Sequence, residues 1–194
     1  MENIKQNNKL ILASASPRRQ QLLAGLDLNF EILIPEVEEI YPESLKAADV
    51  PVFLSELKSE AFKNQFGIEK NTIVITADTV VILNDKIIGK PKDEQDAIQI
   101  LQRLSGNKHT VITGVCLRDE KKTVSFSARS EVYFKNLSTE EIEYYVQNYQ
   151  PLDKAGAYGI QEWIGYIGIE KIEGSFYNVM GLPTRKLWEE LNRM

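Results

Sequence analysis

The chain has 194 residues, 43% of them hydrophobic and 26% charged, an ordinary balance for a globular protein that can bury a sizeable core. A formal net charge of −5 excludes a generally basic surface for nucleic acid, and no apolar run is long enough for a helical bilayer span. Cys116 and His109 are the only residues of their kinds, which excludes an intrachain disulfide and any multi-histidine metal centre. The opening residues, 1–8, lack the apolar stretch of a signal peptide, so a reducing cytoplasm is the expected compartment.

Residues 10–13 read as a strand. They lead into Ser14-Ala15-Ser16-Pro17-Arg18-Arg19 and a helical pattern in which Leu22, Leu23 and Leu26 share one face. Ser16 fits an N-cap and Pro17 the first helical turn. The first N–H groups of a helix lack internal partners and carry partial positive charge. With the bidentate donors of two guanidinium groups, Ser14, Ser16, Arg18 and Arg19 form a candidate phosphate cradle. A capped surface helix with two solvated arginines accounts for the same residues.

Residues 30–34 predict a second strand, and 35–51 a proline-punctuated loop carrying Glu36, Glu38, Glu39 and Glu43. Glu38 and Glu39 are either solvated acids or hard oxygen donors for a divalent cation. A helix over 52–66 places Leu54, Leu57, Ala61 and Phe62 on one side. Lys58 lies one turn from Leu54 and from Phe62, on the apolar face, where an anion contact or a snorkelling stem explains it equally. Residues 73–77 are a nearly all-apolar strand of the doubly covered kind. Asp78 follows directly, where strand ends in α/β sheets open towards ligands. It can bind a cation, take a proton from water, or close an Asx turn.

Residues 80–83 and 86–88 around Asn84-Asp85 predict a hairpin, after which Lys90 is a phosphate contact or a solvated loop lysine. Asp93 predicts the cap of a helix reaching Leu104, with Ala97, Leu101 and Leu104 inward. Residues 110–117 and 123–134 predict long paired strands, with Cys116 a small buried residue and His109 structural. Ser138-Thr139-Glu140-Glu141 is a capping box opening a helix with Ile142, Tyr145, Val146 and Tyr149 inward. The Gln161 amide matches the alternating N3–H and O4 edge of uracil or thymine, or simply bonds to loop backbone. A strand over 164–172 and a last helix from Pro183, burying Leu187, Trp188 and Leu191, complete an alternating α/β pattern. Without repeats or linkers, residues 1–194 are expected to form a single domain.

An ordered set of motifs resembles the Maf family of nucleoside triphosphate pyrophosphatases over nearly the whole chain. It runs Leu12-Ala13-Ser14-Ala15-Ser16-Pro17-Arg18-Arg19, Glu38-Glu39, Lys58, Ala77-Asp78-Thr79-Val80-Val81 and Gly89-Lys90-Pro91. Leu104-Ser105-Gly106, His109, Thr113-Gly114, Asp153-Lys154-Ala155-Gly156-Ala157-Tyr158-Gly159-Ile160-Gln161, Gly174-Ser175 and Gly181-Leu182-Pro183 continue it. Residues 153–161 are similar to the subfamily acting on dTTP and UTP. The resemblance implies a mixed α/β fold, its strongly twisted central sheet flanked by helices, with two lobes around a deep cleft as in inosine triphosphate pyrophosphatases. It also implies a divalent metal (Mg²⁺ or Mn²⁺), frequent homodimers and Asp78 as proton acceptor. Arg18, Thr79 and Gln161 would then bear on substrate choice. Glu162 departs from the pattern, which has glycine after the glutamine, and its bulk and charge would narrow a base pocket.

The expected reaction is hydrolysis between the α and β phosphates, giving monophosphate and pyrophosphate. Arg18, Arg19, Lys58 and Lys90 would neutralise the departing pyrophosphate, and Glu38, Glu39 and Asp78 would hold the metal. The alternatives are a non-catalytic nucleotide sensor tied to septum formation, against which Asp78 argues, and a single-stranded RNA binder, against which the net charge argues.

Overall fold

The computed structural model describes residues 9–194; the opening segment, read for targeting, lies outside them. The elements are β1 (Lys9–Leu12), α1 (Pro17–Ala24), β2 (Glu31–Ile32), α2 (Val50–Phe66), β3 (Thr72–Leu83), β4 (Lys86–Ile88) and α3 (Glu94–Leu104). There follow β5 (Lys108–Arg118), β6 (Thr123–Phe134), α4 (Thr139–Tyr149), α5 (Trp163–Gly168), β7 (Ile169–Glu173), α6 (Phe176–Met180) and α7 (Thr184–Leu191). The strands form one seven-stranded mixed sheet in the order β2-β1-β3-β5-β6-β7, with β4 paired to β3. β1 runs parallel to β2 and β3, whereas the β3–β4 and β6–β7 pairs are antiparallel. The α/β expectation holds, with helices flanking the sheet.

The described residues fall into two compact units. One comprises the chain through Asp78 with Thr113–Ala128 and Gly181–Met194; the other comprises Thr79–Ile112 and Arg129–Met180. In the first, Leu12, Leu23, Phe62, Ile75, Cys116, Leu117 and Leu187 are fully buried, which removes apolar surface from water along both faces of β1 and β3. In the second, Leu101, Leu104, Val132, Ile142, Val146 and Ile164 play the same part, and α3 packs on α4.

Local signals explain most boundaries. Ser16 caps α1, its hydroxyl accepting from Arg19 N at 3.4 Å, and Pro17 opens the helix. Asp93 caps α3 by accepting from Asp96 N at 2.8 Å, and Ser138 and Glu141 complete a reciprocal capping box on α4. Asn84 and Asp85 adopt left-handed φ values of 50° and 61° between β3 and β4, as a two-residue hairpin of this hand requires.

Several expectations give way. β2 retains only two paired residues of the expected 30–34, Glu31 and Ile32 opposite Ile11 and Leu12, where β1 ends. Asp78 does not follow a strand: β3 runs unbroken from Thr72 to Leu83, so the ladder overrides the turn propensity of Asp-Thr, and no Asx turn forms there. The 164–172 stretch is a short helix followed by β7, since a glycine-interrupted apolar run fits either period. Leu26 lies past the end of α1, and Tyr149 is exposed.

Candidate active site

β1 ends at Leu12, and the turn before α1 carries Ser14 and Ser16. Ser14 is buried; its Oγ accepts from Ser16 N at 3.3 Å and from Arg19 Nη1 at 3.4 Å. Arg19 Nε donates to the Gly181 carbonyl at 2.9 Å, so its guanidinium is held at two points by residues far apart in sequence. Burial lowers the Arg19 pKa from its usual value; the charge of Asp78 opposes this, Arg18 adds to it, and Glu39 opposes it. An arginine stays charged across such a shift, and here it stands within the field of both carboxylates. Arg18, its neighbour on α1, is half-buried.

α2 delivers Lys58. Its face is pinned at both flanks: Thr76 Oγ1 of β3 donates to the Ser55 carbonyl at 2.6 Å, and Arg118 Nε of β5 donates to Ser59 Oγ at 2.8 Å. Ser55 and Ser59 are fully buried, and Gly114 of β5 lies directly under the Pro51 backbone, with no room for a side chain. Lys58 is thereby turned inward with 12% of its side chain exposed. Its ammonium donates to Asp78 Oδ1 at 2.6 Å and pairs with Glu39 Oε1 at 3.0 Å. The snorkelling alternative is excluded, since the ammonium ends on carboxylates rather than in water. Asp78 itself has 11% side-chain exposure.

Ser14, Ser16, Arg19, Glu39, Lys58 and Asp78 thus belong to one unit and are joined by hydrogen bonds, ion pairs or longer-range charge. Glu38 is exposed, and the ammonium that gathers its neighbour Glu39 does not gather it. Thr79 follows Asp78 on β3 but is counted with the second unit, as are Lys90, which is exposed, and Gln161.

In that second unit Gln161 is half-buried, yet its Oε1 is buried and accepts no hydrogen bond among the described residues. A buried acceptor left without a donor costs about 1–3 kcal/mol, which a ligand N–H would remove. His109 is structural as expected: its Nε2 lies 2.8 Å from Tyr158 Oη, with Phe134 edge-on, and burial pushes its pKa down to about 4.

Two carboxylates meeting on one ammonium suit a hard, oxygen-liganded cation of the Mg²⁺ type, which takes one or two carboxylates and completes its shell with phosphates and water. Among the described residues no three His, Cys, Asp or Glu side chains form a ready-made cage. The chemistry of the Asp78 and Glu39 oxygens fits a hard divalent cation whose remaining ligands come from outside the protein.

Sequence reasoning overlooked the Gly181 carbonyl behind Arg19, because a backbone acceptor 162 residues away leaves no side-chain signal. It also overlooked what surrounds Gln161. Tyr145, read only as an inward residue, donates to Glu162 and accepts from Gly159 N, while Lys154 is buried between Asp153 and Glu162.

Comparison with known proteins gives concordant results. A family profile described as Maf-like protein matches residues 9–194. A dTTP/UTP pyrophosphatase of Porphyromonas gingivalis is 50% identical over 98% of this chain and 96% of its own length. Proteins of the same name from Phocaeicola vulgatus and Flavobacterium johnsoniae are 49% and 50% identical, covering 100% and 96% of this chain and 100% and 95% of their own. Among solved structures, the Staphylococcus aureus Ham1 protein shares 16% identity at a TM-score of 0.49 over 94% of this chain and 100% of its own, a likeness too loose to add to the fold described above.

Proposed function

The chain belongs to the Maf family, and from that premise we propose that it is a nucleoside triphosphate pyrophosphatase acting on UTP and dTTP. Water attacks the α phosphorus, the α–β anhydride bond breaks, and nucleoside monophosphate and pyrophosphate leave. The observation that carries this reading is the inward Lys58 ammonium shared by Asp78 and Glu39, in the same unit as the anchored Arg19 guanidinium. About half the sequence is identical to relatives of that name over nearly full length, which supports the substrate class.

The roles follow from charge and placement. Arg18, Arg19 and the first N–H groups of α1 face the charge that gathers on the leaving pyrophosphate, with Ser14 and Ser16 shaping the turn. Lys58 and Lys90 add cationic contacts. Lys58 also fixes the Asp78 carboxylate through Oδ1, so that Oδ2 is the atom proposed to take the proton from the attacking water. Glu39 and Asp78, with Glu38 as a further oxygen donor from the same loop, would hold a divalent metal; when bound it acidifies the water and screens the phosphates. Thr79 and Gln161 are assigned to substrate choice. The buried, unserved Oε1 of Gln161 supports an N–H donor such as pyrimidine N3–H. Residues 1–194 are taken as one catalytic domain, since neither unit is a continuous stretch of chain.

The test is pyrophosphate release from a panel of triphosphates with Mg²⁺ or Mn²⁺. UTP and dTTP are expected to lead the panel. Asp78→Asn should keep the fold and lower kcat by about 10²–10⁴-fold, the scale of a positioned general base. No pyrophosphate from any triphosphate would instead indicate a nucleotide sensor, and near-wild-type turnover of Asp78→Asn would remove that residue from the chemistry.

A further inference from the structure

Gln161 sits in a segment with little freedom. Glu162 N donates to the Gly159 carbonyl at 3.0 Å, and Gly165 N to the Glu162 carbonyl at 2.8 Å. Gly159 N donates to Tyr145 Oη at 2.9 Å, and the Tyr145 hydroxyl in turn donates to Glu162 Oε2. The other oxygen, Glu162 Oε1, lies 3.2 Å from Lys154 Nζ. Tyr145 is fully buried and Lys154 nearly so, whereas Asp153, the other partner of that ammonium, has 57% of its side chain exposed. Glu162 is therefore the better shielded of the two anions that meet on Lys154.

The arrangement is interdependent. A hydroxyl that donates to a carboxylate becomes a stronger acceptor, so the Glu162 charge tightens the Tyr145 bond to Gly159 N. Removing the carboxylate leaves a buried hydroxyl proton and a buried ammonium short of a partner, and both are costly. A Cβ at 159 would come within 2.6 Å of Glu162 Cδ, so any larger residue there would have to displace the carboxylate. Residue 161 lies between these two closed positions.

We propose that Glu162 is a positioning residue: clamped by Tyr145 and Lys154, it holds the Gly159–Glu162 turn so that the Gln161 amide oxygen is presented in one orientation to the N3–H of a uracil or thymine base. The proposal rests on the base-reading role given to Gln161 above. The side chain that breaks the family pattern is thus turned onto Tyr145 and Lys154, and substrate discrimination depends on this clamp.

The experiment compares kcat and KM for UTP and CTP, whose N3 lacks the proton, in the full-length protein and five variants. Gln161→Ala should erase much of the UTP preference. Glu162→Ala and Tyr145→Phe should each reduce that preference by roughly five- to tenfold, the scale of one ordinary hydrogen bond lost, with the effect falling on KM more than on kcat. Glu162→Gln, which still accepts from Tyr145, should restore most of it. Glu162→Ala added to Gln161→Ala should change the preference no further. If Gln161→Ala shifts the preference but Tyr145→Phe and Glu162→Ala do not, or if they slow UTP and CTP alike, the positioning role is overturned while the glutamine reading stands. An unchanged preference in Gln161→Ala overturns both. Should Glu162→Ala fail to fold, the isosteric Tyr145→Phe decides the matter in the same way.

Discussion

His109 has 1% exposure, its Nε2 on Tyr158 Oη and its Nδ1 buried without a partner among the described residues. Burial holds its pKa near 4, below the unfolded value of 6.5, with Glu131 opposing the shift. Between those values the unfolded chain binds the extra proton, so this residue contributes stability above pH 6.5 that is lost as the pH falls towards 4. The loss should reach about 3 kcal/mol, measured as the difference in denaturant stability between wild type and His109→Gln across that range. Parallel pH profiles for the two proteins would show that the histidine does not drive it. The residue's structural role was legible in the sequence, since a single histidine at a strand start has no partner set for metal or catalysis. Lys58 was only half legible. Helical spacing placed it on the apolar face, but whether its ammonium met water or a carboxylate depended on Asp78, 20 residues on, and no local pattern records that.

Elements owe their positions to a few close approaches. The first turn of α2 rests on Gly114 of β5 with no space for a methyl group, and the same helix presents Lys58 two turns later. Gly114→Ala must push backbone against backbone, a contact that cannot relax by a rotamer change. The expected cost is about 1–3 kcal/mol, the range of overpacked cores, accompanied by a fall in kcat as Lys58 shifts. Equilibrium unfolding and steady-state kinetics on one preparation would check both, and an unchanged midpoint would mean that α2 slides freely on the strand. Caps, the β3–β4 hairpin and the long β5 and β6 strands were legible because their signals are local: an Asp or Ser at the N-cap, and Asn-Asp between apolar runs. β2, the Asp78 boundary and the α5–β7 junction were not. Their state is decided by what covers or pairs with them, which is information held elsewhere in the chain.

For the whole molecule, the net charge of −5 leaves no general attraction for a polyanion, which must then depend on local cations such as Arg19 and Lys58. A ligand contacting many phosphates would lose about 10³–10⁵ in affinity between 50 and 200 mM salt, whereas a triphosphate held by this few should lose far less. Titration of UTP and of a single-stranded oligonucleotide across that range should show weak salt dependence for the first and negligible retention of the second at the upper end. Tight, steeply salt-dependent oligonucleotide binding would contradict it. The α/β class was legible from alternation alone. The assignment of residues to units was not, since unit boundaries fall inside β3, β5 and β6, where no composition shift marks them.

Arg19 is synthesised early, yet its Nε anchor is the carbonyl of Gly181, made 162 residues later. A nascent chain still tethered to the ribosome cannot lock that guanidinium until Gly181 has emerged. Translation that stops before that point yields a chain with its serine turn and α1 encoded, and its arginine still within reach of Ser14, but without the distant carbonyl that holds Nε.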